Sequence, residues 1–321
     1  MNPQLTPGDA YGLISANVQR VVQGKPDVVR MAIVAMFAEG HVLLEDVPGL
    51  GKTTLARCLA ASVDGTLNRI QFTPDLLPGD ITGASIYHQS SERLEFHPGA
   101  IFANIVLADE INRGTPKTQS ALLEVMAEAA VTVDGQRYAM PRPFLVLATQ
   151  NPIELEGTYR LPEAQLDRFL VRLTVGYPAH EAEVQVVLGD MAGSSPAQLG
   201  PVLTQEALAG VIASVRQIQA HPAVCSYAVS LAEATRQHPM VRFGASPRGS
   251  VALVRAARAW AATDNRAYTT PDDVKAVAPA VLEHRLVLTP EAELNGRKAT
   301  NVLDEVLRAV PAPGGSATVR G

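Results

Sequence analysis

HVLLEDVPGLGKTTL, residues 41–55, is the stretch on which the fold turns. An apolar run from Val42 to Leu44 breaks at Pro48-Gly49 and Gly51 and meets Lys52-Thr53. That is the pattern of a buried strand feeding a glycine-rich turn and then a helix. Such a turn aims successive backbone N–H groups inward at the positive end of a helix dipole, which makes it a cradle for phosphates. Pro48, Gly49, Leu50, Gly51, Lys52, Thr53 and Thr54 are therefore read as nucleotide-binding, with Lys52 reaching the β- and γ-phosphates and the Thr53 hydroxyl serving Mg²⁺. The general pattern G-x-x-x-x-G-K-[ST] has glycine where this chain has Asp46. Aspartate tolerates turn conformations, including the left-handed one, better than most residues, so the loop is still expected to close.

The chain has 321 residues, enough for one large or two medium domains. A hydrophobic content of 47% with only 5% aromatic residues points to an α/β or α-rich core built from Ala, Val and Leu. Lys plus Arg number 27 against 32 Asp plus Glu, a net charge of -5, and this balance argues against a nucleic-acid partner. The two cysteines, Cys58 and Cys225, lack metal-ligand spacing and favour a reducing compartment. The N-terminal MNPQLTPGDA does not read as a leader, and no stretch approaches the roughly 20 apolar residues of a membrane span. The expectation is a cytoplasmic protein.

Upstream of the loop, Leu13, Val18, Val21 and Val22, then Val28, Val29, Ala32, Ile33 and Met36, recur at helical spacing. The break between these two helices, Gly24-Lys25-Pro26, is positioned to face the base, which makes Gly24 a further cofactor-binding candidate. Downstream, the pattern predicts a helix over 54–63, a short strand over 69–72 and an inserted hairpin around Ile86 and Leu94 to Phe96. Ile105 to Ala108 reads as a buried strand ending in Asp109-Glu110. Thr115-Pro116 starts a helix through Ala130, and Asp134-Gly135 centres a second hairpin over 131–140. Phe144 to Ala148 is a further strand ending at Thr149-Gln150-Asn151, Pro162 opens a short helix ending near Arg168, and Leu170 to Val175 is the last strand. Alternating strands and helices imply an open, mostly parallel sheet. Beyond Ala179 the pattern is helix only. The expected organisation is an α/β nucleotide-binding unit over 1–179, an all-α unit over 180–310 and a flexible tail over 311–321.

Four further constellations carry chemistry. Asp109 and Glu110 supply two carboxylates with separable tasks: Asp109 to hold Mg²⁺ beside Thr53, Glu110 to orient and activate the attacking water. Asn151 reads either as a hydrogen-bond partner of that water or of the γ-phosphate, or as a plain Asn-Pro turn former. Arg168 suits the dipole at a helix C-terminus, and reads alternatively as an arginine finger for a neighbouring subunit. Arg248, in Ala245-Ser246-Pro247-Arg248, falls in the first turn of a helix, where the dipole disfavours a cation. Its position calls for an anion, either ATP phosphate or an Asp/Glu neighbour.

The succession EDVPGLGKTTLA, LADEINRGTPKTQSALLEVMAE, LATQNPIELEGTYRLPEAQLDRFL and SPRGSVALVRAARAWA resembles the MoxR family of AAA+ ATPases from about Val21 to about Leu307. The aspartate that departs from the general loop pattern is familiar in that family. The resemblance implies an AAA+ P-loop NTPase core with a parallel sheet, followed by a C-terminal helical lid domain, and ATP hydrolysis with Mg²⁺. It implies Lys52 and Thr53 as Walker A, Asp109 and Glu110 as Walker B, Asn151 as sensor 1, Arg168 as a finger acting in trans and Arg248 as sensor 2. It further implies a homo-oligomeric ring, usually a hexamer, whose second hairpin faces the pore. A von Willebrand factor A domain protein would be the separate partner in activating, assembling or metallating a protein client.

Two other readings compete with such a chaperone-like motor. One is a nucleic-acid-translocating motor, but the hairpin tips, HQSSER and DGQR, carry one arginine each, thin for tracking phosphates. The other is a nucleotide switch without turnover, which the presence of Glu110 and Arg168 opposes.

Overall fold

The computed structural model describes residues 5–47, 49–89, 93–152, 157–191, 193 and 195–313. Pro48, the hairpin-tip residues 90–92 and the tail over 314–321 lie outside them. Five strands, β1 (His41–Glu45), β2 (Leu67–Gln71), β3 (Ile105–Asp109), β4 (Leu145–Gln150) and β5 (Phe169–Leu173), form one sheet in the order β5-β1-β4-β3-β2. Every pairing in it is parallel, with Val42 opposite both Leu147 and Val171. β1, β3 and β4 are short apolar runs because both faces are covered, whereas β2, at the edge, is mostly polar and exposed. Along β1, Val42 and Leu44 join one core cluster while Leu43 joins the other, and along β3 Ile105 and Leu107 separate from Val106 and Ala108 in the same way.

On the first face lie α1 (Pro7–Gln19), α2 (Pro26–Phe37) and α3 (Lys52–Ser62). α2 is buried nearly all round, as its run of Met31 to Phe37 requires. On the second face lies α4 (Pro116–Glu128), capped by the Thr115 hydroxyl and packed through Leu122, Leu123, Val125 and Met126. Two hairpins project from this layer, Gly83–His88 with Arg93–Pro98 and Ala130–Val133 with Gln136–Ala139. The second turns at Asp134 (φ 49°) and Gly135 (φ 77°), the left-handed pair expected of Asp-Gly. Phe96 of the first stacks on Tyr138 of the second, ring centroids 3.9 Å apart, so the two hairpins are one packed projection.

The C-terminal part contains α5 (His180–Met191), α6 (Gln205–Gln217), α7 (Pro222–Gln237), α8 (Pro247–Thr263), α9 (Pro271–Leu282) and α10 (Ala299–Ala309). The expectation of helix only beyond Ala179 needs correction. Leu203–Thr204 pairs with Val63–Asp64, and Val241–Phe243 pairs with Val287–Leu288. Segments of two or three residues carry no readable alternation, and only tertiary contact supplies their partner. α6 packs against α1 and α2, burying Leu208, Val211, Ile212 and Val215 in the cluster that covers the sheet. Among the described residues no helix is long and apolar enough to cross a membrane.

Candidate active site

A cavity of about 340 Å³ opens at the carboxyl edge of the sheet, where β1, β3 and β4 end. Gly49, Gly51, Lys52, Thr53, Thr54, Asp109, Glu110 and Asn151 line it together with Thr149 and Gln150. The loop needs glycine at two places, Gly49 (φ 84°) and Gly51 (φ 81°). Asp46 is not among the residues of positive φ, so its tolerance of left-handed backbone is not what lets it stand in this loop. Its carboxylate accepts the N–H groups of Val47 (2.8 Å) and Gly176 (2.6 Å) instead.

Lys52 starts α3 and turns its ammonium back over the loop, donating to the carbonyls of Asp46 and Gln150. Burial lowers its pKa, while the carboxylates of Asp46, Asp109, Glu110 and Glu45 act in the opposite sense. Asp109 receives the Thr149 hydroxyl on one oxygen (2.5 Å) and Arg69 on the other, through Nε (3.2 Å) and Nη2 (2.8 Å). The Thr53 hydroxyl faces that second oxygen at 3.4 Å. This hydroxyl and carboxylate, already attracting a cation, form an all-oxygen set of the kind Mg²⁺ takes.

Glu110 carries the backbone outlier of the site: φ 56° and ψ 48°, the left-handed region, at a non-glycine residue. Its N–H donates to the Thr149 hydroxyl (3.0 Å), which fixes the turn at the strand end. Its carboxylate accepts Gln71 Nε2 (3.0 Å) and pairs with Arg113 (3.2 Å). Asn151 is buried at 7% exposure, and its carbonyl accepts the Asn112 side chain at 3.2 Å. Gly24 (φ 70°) lies outside the lining of this cavity, and a Cβ there would come within 2.4 Å of Ala182 on α5. Arg69, Gln71 and Thr149 are given no role in the sequence reading because each acts across strands, and Arg113 because its pairing with Glu110 depends on the turn that follows β3.

Arg168 and Arg248 are elsewhere. They line a second cavity, of about 670 Å³, with Gly40, His41, Phe144 and Phe169, at the amino ends of β1, β4 and β5. The described linings of the two cavities share no residue. A five-residue strand such as β1 spans about 13 Å, which separates the two edges by more than an arginine side chain reaches. Arg168 donates to the Leu123 carbonyl on α4. Arg248 is exposed at the second position of α8, two residues past the Ser246 cap, and its side chain has no ion pair or hydrogen bond among the described residues. The nearby Asp167 is engaged by Arg285 (2.7 Å) and by the Ser246 hydroxyl (3.2 Å). An acidic neighbour therefore does not account for Arg248.

Glu39 on the same wall pairs with Arg216 and, at 3.8 Å, with Arg142. Arg255 caps the C-terminus of α2 through the carbonyls of Ala38 (2.6 Å) and Glu39 (2.7 Å). His41 is buried behind them. Its Nδ1 accepts Val146 N–H and its Nε2 donates to Met126 carbonyl, both at 3.0 Å, so the ring is neutral with the proton on Nε2. Burial, with Arg255 adding to it, lowers its pKa to about 4.

A phosphate loop between β1 and α3, with paired carboxylates at the end of β3, separated from β1 by β4 in a β5-β1-β4-β3-β2 sheet, defines a P-loop nucleotide hydrolase. Comparison with known proteins narrows this. The model of the ATPase family associated with various cellular activities (AAA) matches residues 41–171, and that of the AAA lid domain matches 233–306. The chain is 48% identical to YeaC of Bacillus subtilis over 304 residues, 95% of each chain. It is 43% identical to Chaperone MoxR1 of Mycobacterium tuberculosis, covering 96% of this chain and 86% of that one. A solved structure from Cytophaga hutchinsonii, described as an ATPase, superposes with a TM-score of 0.88 at 37% identity, covering 95% of both chains. The chain belongs to the MoxR family of AAA+ ATPases and is a nucleotide-binding ATP hydrolase.

Proposed function

We propose that this protein is a chaperone-like ring motor whose ATP sites lie between subunits. The observation that carries the reading is the separation of Arg168 and Arg248 from Lys52 by the length of the sheet. Each protomer holds one half of a site on its carboxyl edge and one half of another on its amino edge. Residues 1–179 form the nucleotide-binding unit and 180–310 the lid.

At the carboxyl edge the loop N–H groups and Lys52 bind the triphosphate. Thr53 and Asp109 would hold Mg²⁺, whose charge screens the phosphate oxygens. Glu110, with Gln71 and Arg113 on its carboxylate, accepts a proton from the attacking water, and Asn151 at the end of β4 orients it. Arg168 and Arg248 of the adjoining protomer stabilise the charge that develops on the γ-phosphate. Cations that cannot meet their own nucleotide make assembly a condition of turnover.

The work is delivered through the two hairpins. Ile86, Tyr87 and Leu94 on the first are 49%, 57% and 65% exposed, an apolar surface suited to an unfolded or partly folded protein rather than to phosphates. A relative carries the name Chaperone MoxR1, which supports a protein client. A separate von Willebrand factor A domain protein would present that client, and maturation of a metalloenzyme is one such task. Glu110→Gln, held in ATP and used as affinity bait, should retain a protein client and its presenting partner. Recovery of nucleic acid, with ATPase activity stimulated by it and lost steeply with salt, would replace this reading with a translocating motor.

A further inference from the structure

A carboxylate in a loop built to bind polyphosphate is electrostatically misplaced, unless it performs a task that offsets the repulsion. Asp46 does not need glycine's backbone freedom, and all its polar groups are engaged. Its N–H donates to Gln150 carbonyl (3.3 Å) and its carbonyl accepts Lys52 Nζ. One carboxylate oxygen takes the N–H of Val47 (2.8 Å), the next residue of the loop, and the other takes the N–H of Gly176 (2.6 Å). A glycine at this position could make neither side-chain bond.

Gly176 lies on the connection between β5 and α5, with φ 67°, a conformation that leaves the residue type little choice. The same connection is held from its other side by Lys25, whose ammonium donates to Tyr177 carbonyl at 2.7 Å. Beside that lysine, Gly24 lies against Ala182 in α5. The phosphate loop thus meets the connection leaving β5 at the Asp46 carboxylate, and the turn between α1 and α2 meets the same connection one residue further on, at Tyr177.

We propose that Asp46 is a positioning residue whose carboxylate bridges the phosphate loop to the Gly176 N–H, so that closure of the loop on ATP moves the connection leading to α5. The proposal rests on the assignment of the Lys52 cavity as the ATP site. Before nucleotide binds, the bridge keeps the loop N–H groups pointed at the phosphate position and gives Lys52 a carbonyl to rest on. When phosphate draws Lys52 away, the carboxylate remains on Val47 and Gly176 and transmits the displacement. Charge-assisted hydrogen bonds to a carboxylate are the stronger kind, which suits a link that must survive the movement.

Asp46→Gly and Asp46→Asn test this, the second being isosteric and answering if the first does not fold. Phosphate release should show KM for ATP raised about tenfold or more, with kcat changed less, because loop presentation rather than the reacting carboxylate is disturbed. Hydrogen exchange over residues 174–179 should slow when ATP is added to the wild type and be unaffected by ATP in Asp46→Asn. Wild-type KM in Asp46→Asn, or the same ATP-dependent protection, would overturn the bridge. Lys52→Ala, tested for binding of a fluorescent methylanthraniloyl-ATP, separates the two ideas. Loss of binding there with a wild-type Asp46→Asn removes only the bridge, whereas unchanged binding in Lys52→Ala removes the site itself.

Discussion

The two edges of one five-stranded sheet are built on opposite electrostatic plans. At the carboxyl edge every acid has a partner inside the protomer: Asp109 has Arg69 and Thr149, Glu110 has Gln71 and Arg113, Glu45 has Gln150 and Arg172. At the amino edge cations outnumber their partners, Asp167 and Glu39 being engaged by Arg285, Arg216 and Arg142 while Arg248 is left exposed. An edge that satisfies itself binds and waits, and an edge with surplus cation needs an anion from outside. The difference teaches that a list of catalytic residues in one chain need not describe one place.

The largest expected effect breaks the carboxyl edge. Glu110→Gln should keep ATP affinity and lose hydrolysis by about 10²–10⁴-fold, measured as phosphate release against fluorescent-nucleotide binding. Unchanged turnover would show that the water is activated by another group. Next comes the amino edge, where Arg168→Ala should bind ATP normally and lose turnover comparably, with Arg248→Ala losing less because its flexible, exposed side chain is less well placed.

Mixing decides whether the two edges serve one another. Neither Glu110→Gln nor Arg168→Ala protein should turn over alone, yet mixed assemblies should recover about a quarter of wild-type activity through interfaces in which an intact Glu110 meets an intact Arg168. Failure to recover, with mixed assembly demonstrated, would end the division of the site between protomers.

The smallest effect concerns stability at the amino edge. His41 is neutral in the fold, with its pKa lowered to about 4 from 6.5. Between those values the unfolded chain binds the proton and the folded chain does not, so stability falls as pH drops through that window and is unaffected by this group above it. The slope reaches about 1.4 kcal/mol per pH unit. His284, also buried and lowered, adds to it, so in urea unfolding at pH 7 and pH 5 His41→Gln should lose less stability than wild type without levelling entirely. An unaltered pH slope in the variant would place the acid sensitivity elsewhere.

Much of this was legible in the chain. The strand-loop-helix at residues 41–55, the Asp-Gly hairpin and the Thr115 cap each follow from a few adjacent residues whose conformational preferences agree, and such local agreement survives folding. Lys52, Thr53, Asp109, Glu110 and Asn151 could be gathered in advance because parallel strands deliver their C-terminal residues to one edge. The three short strands beyond Ala179 could not, since each exists only through a partner far along the chain. Arg69 and Gln71 gave no signal either, being ordinary polar residues of a half-exposed strand until β3 is laid beside them.

By itself, then, the sequence determined the family, the order of the main elements and the candidate groups for handling phosphate, because those are properties of short contiguous patterns. Only the tertiary structure decided that Arg168 and Arg248 stand together at the opposite edge from Lys52, and that Asp46 reaches across to Gly176. The physical reason is the same in both cases. Direction along a strand is written in the chain, but which strands lie side by side, and which side chains meet between them, is set by packing both faces of the sheet at once.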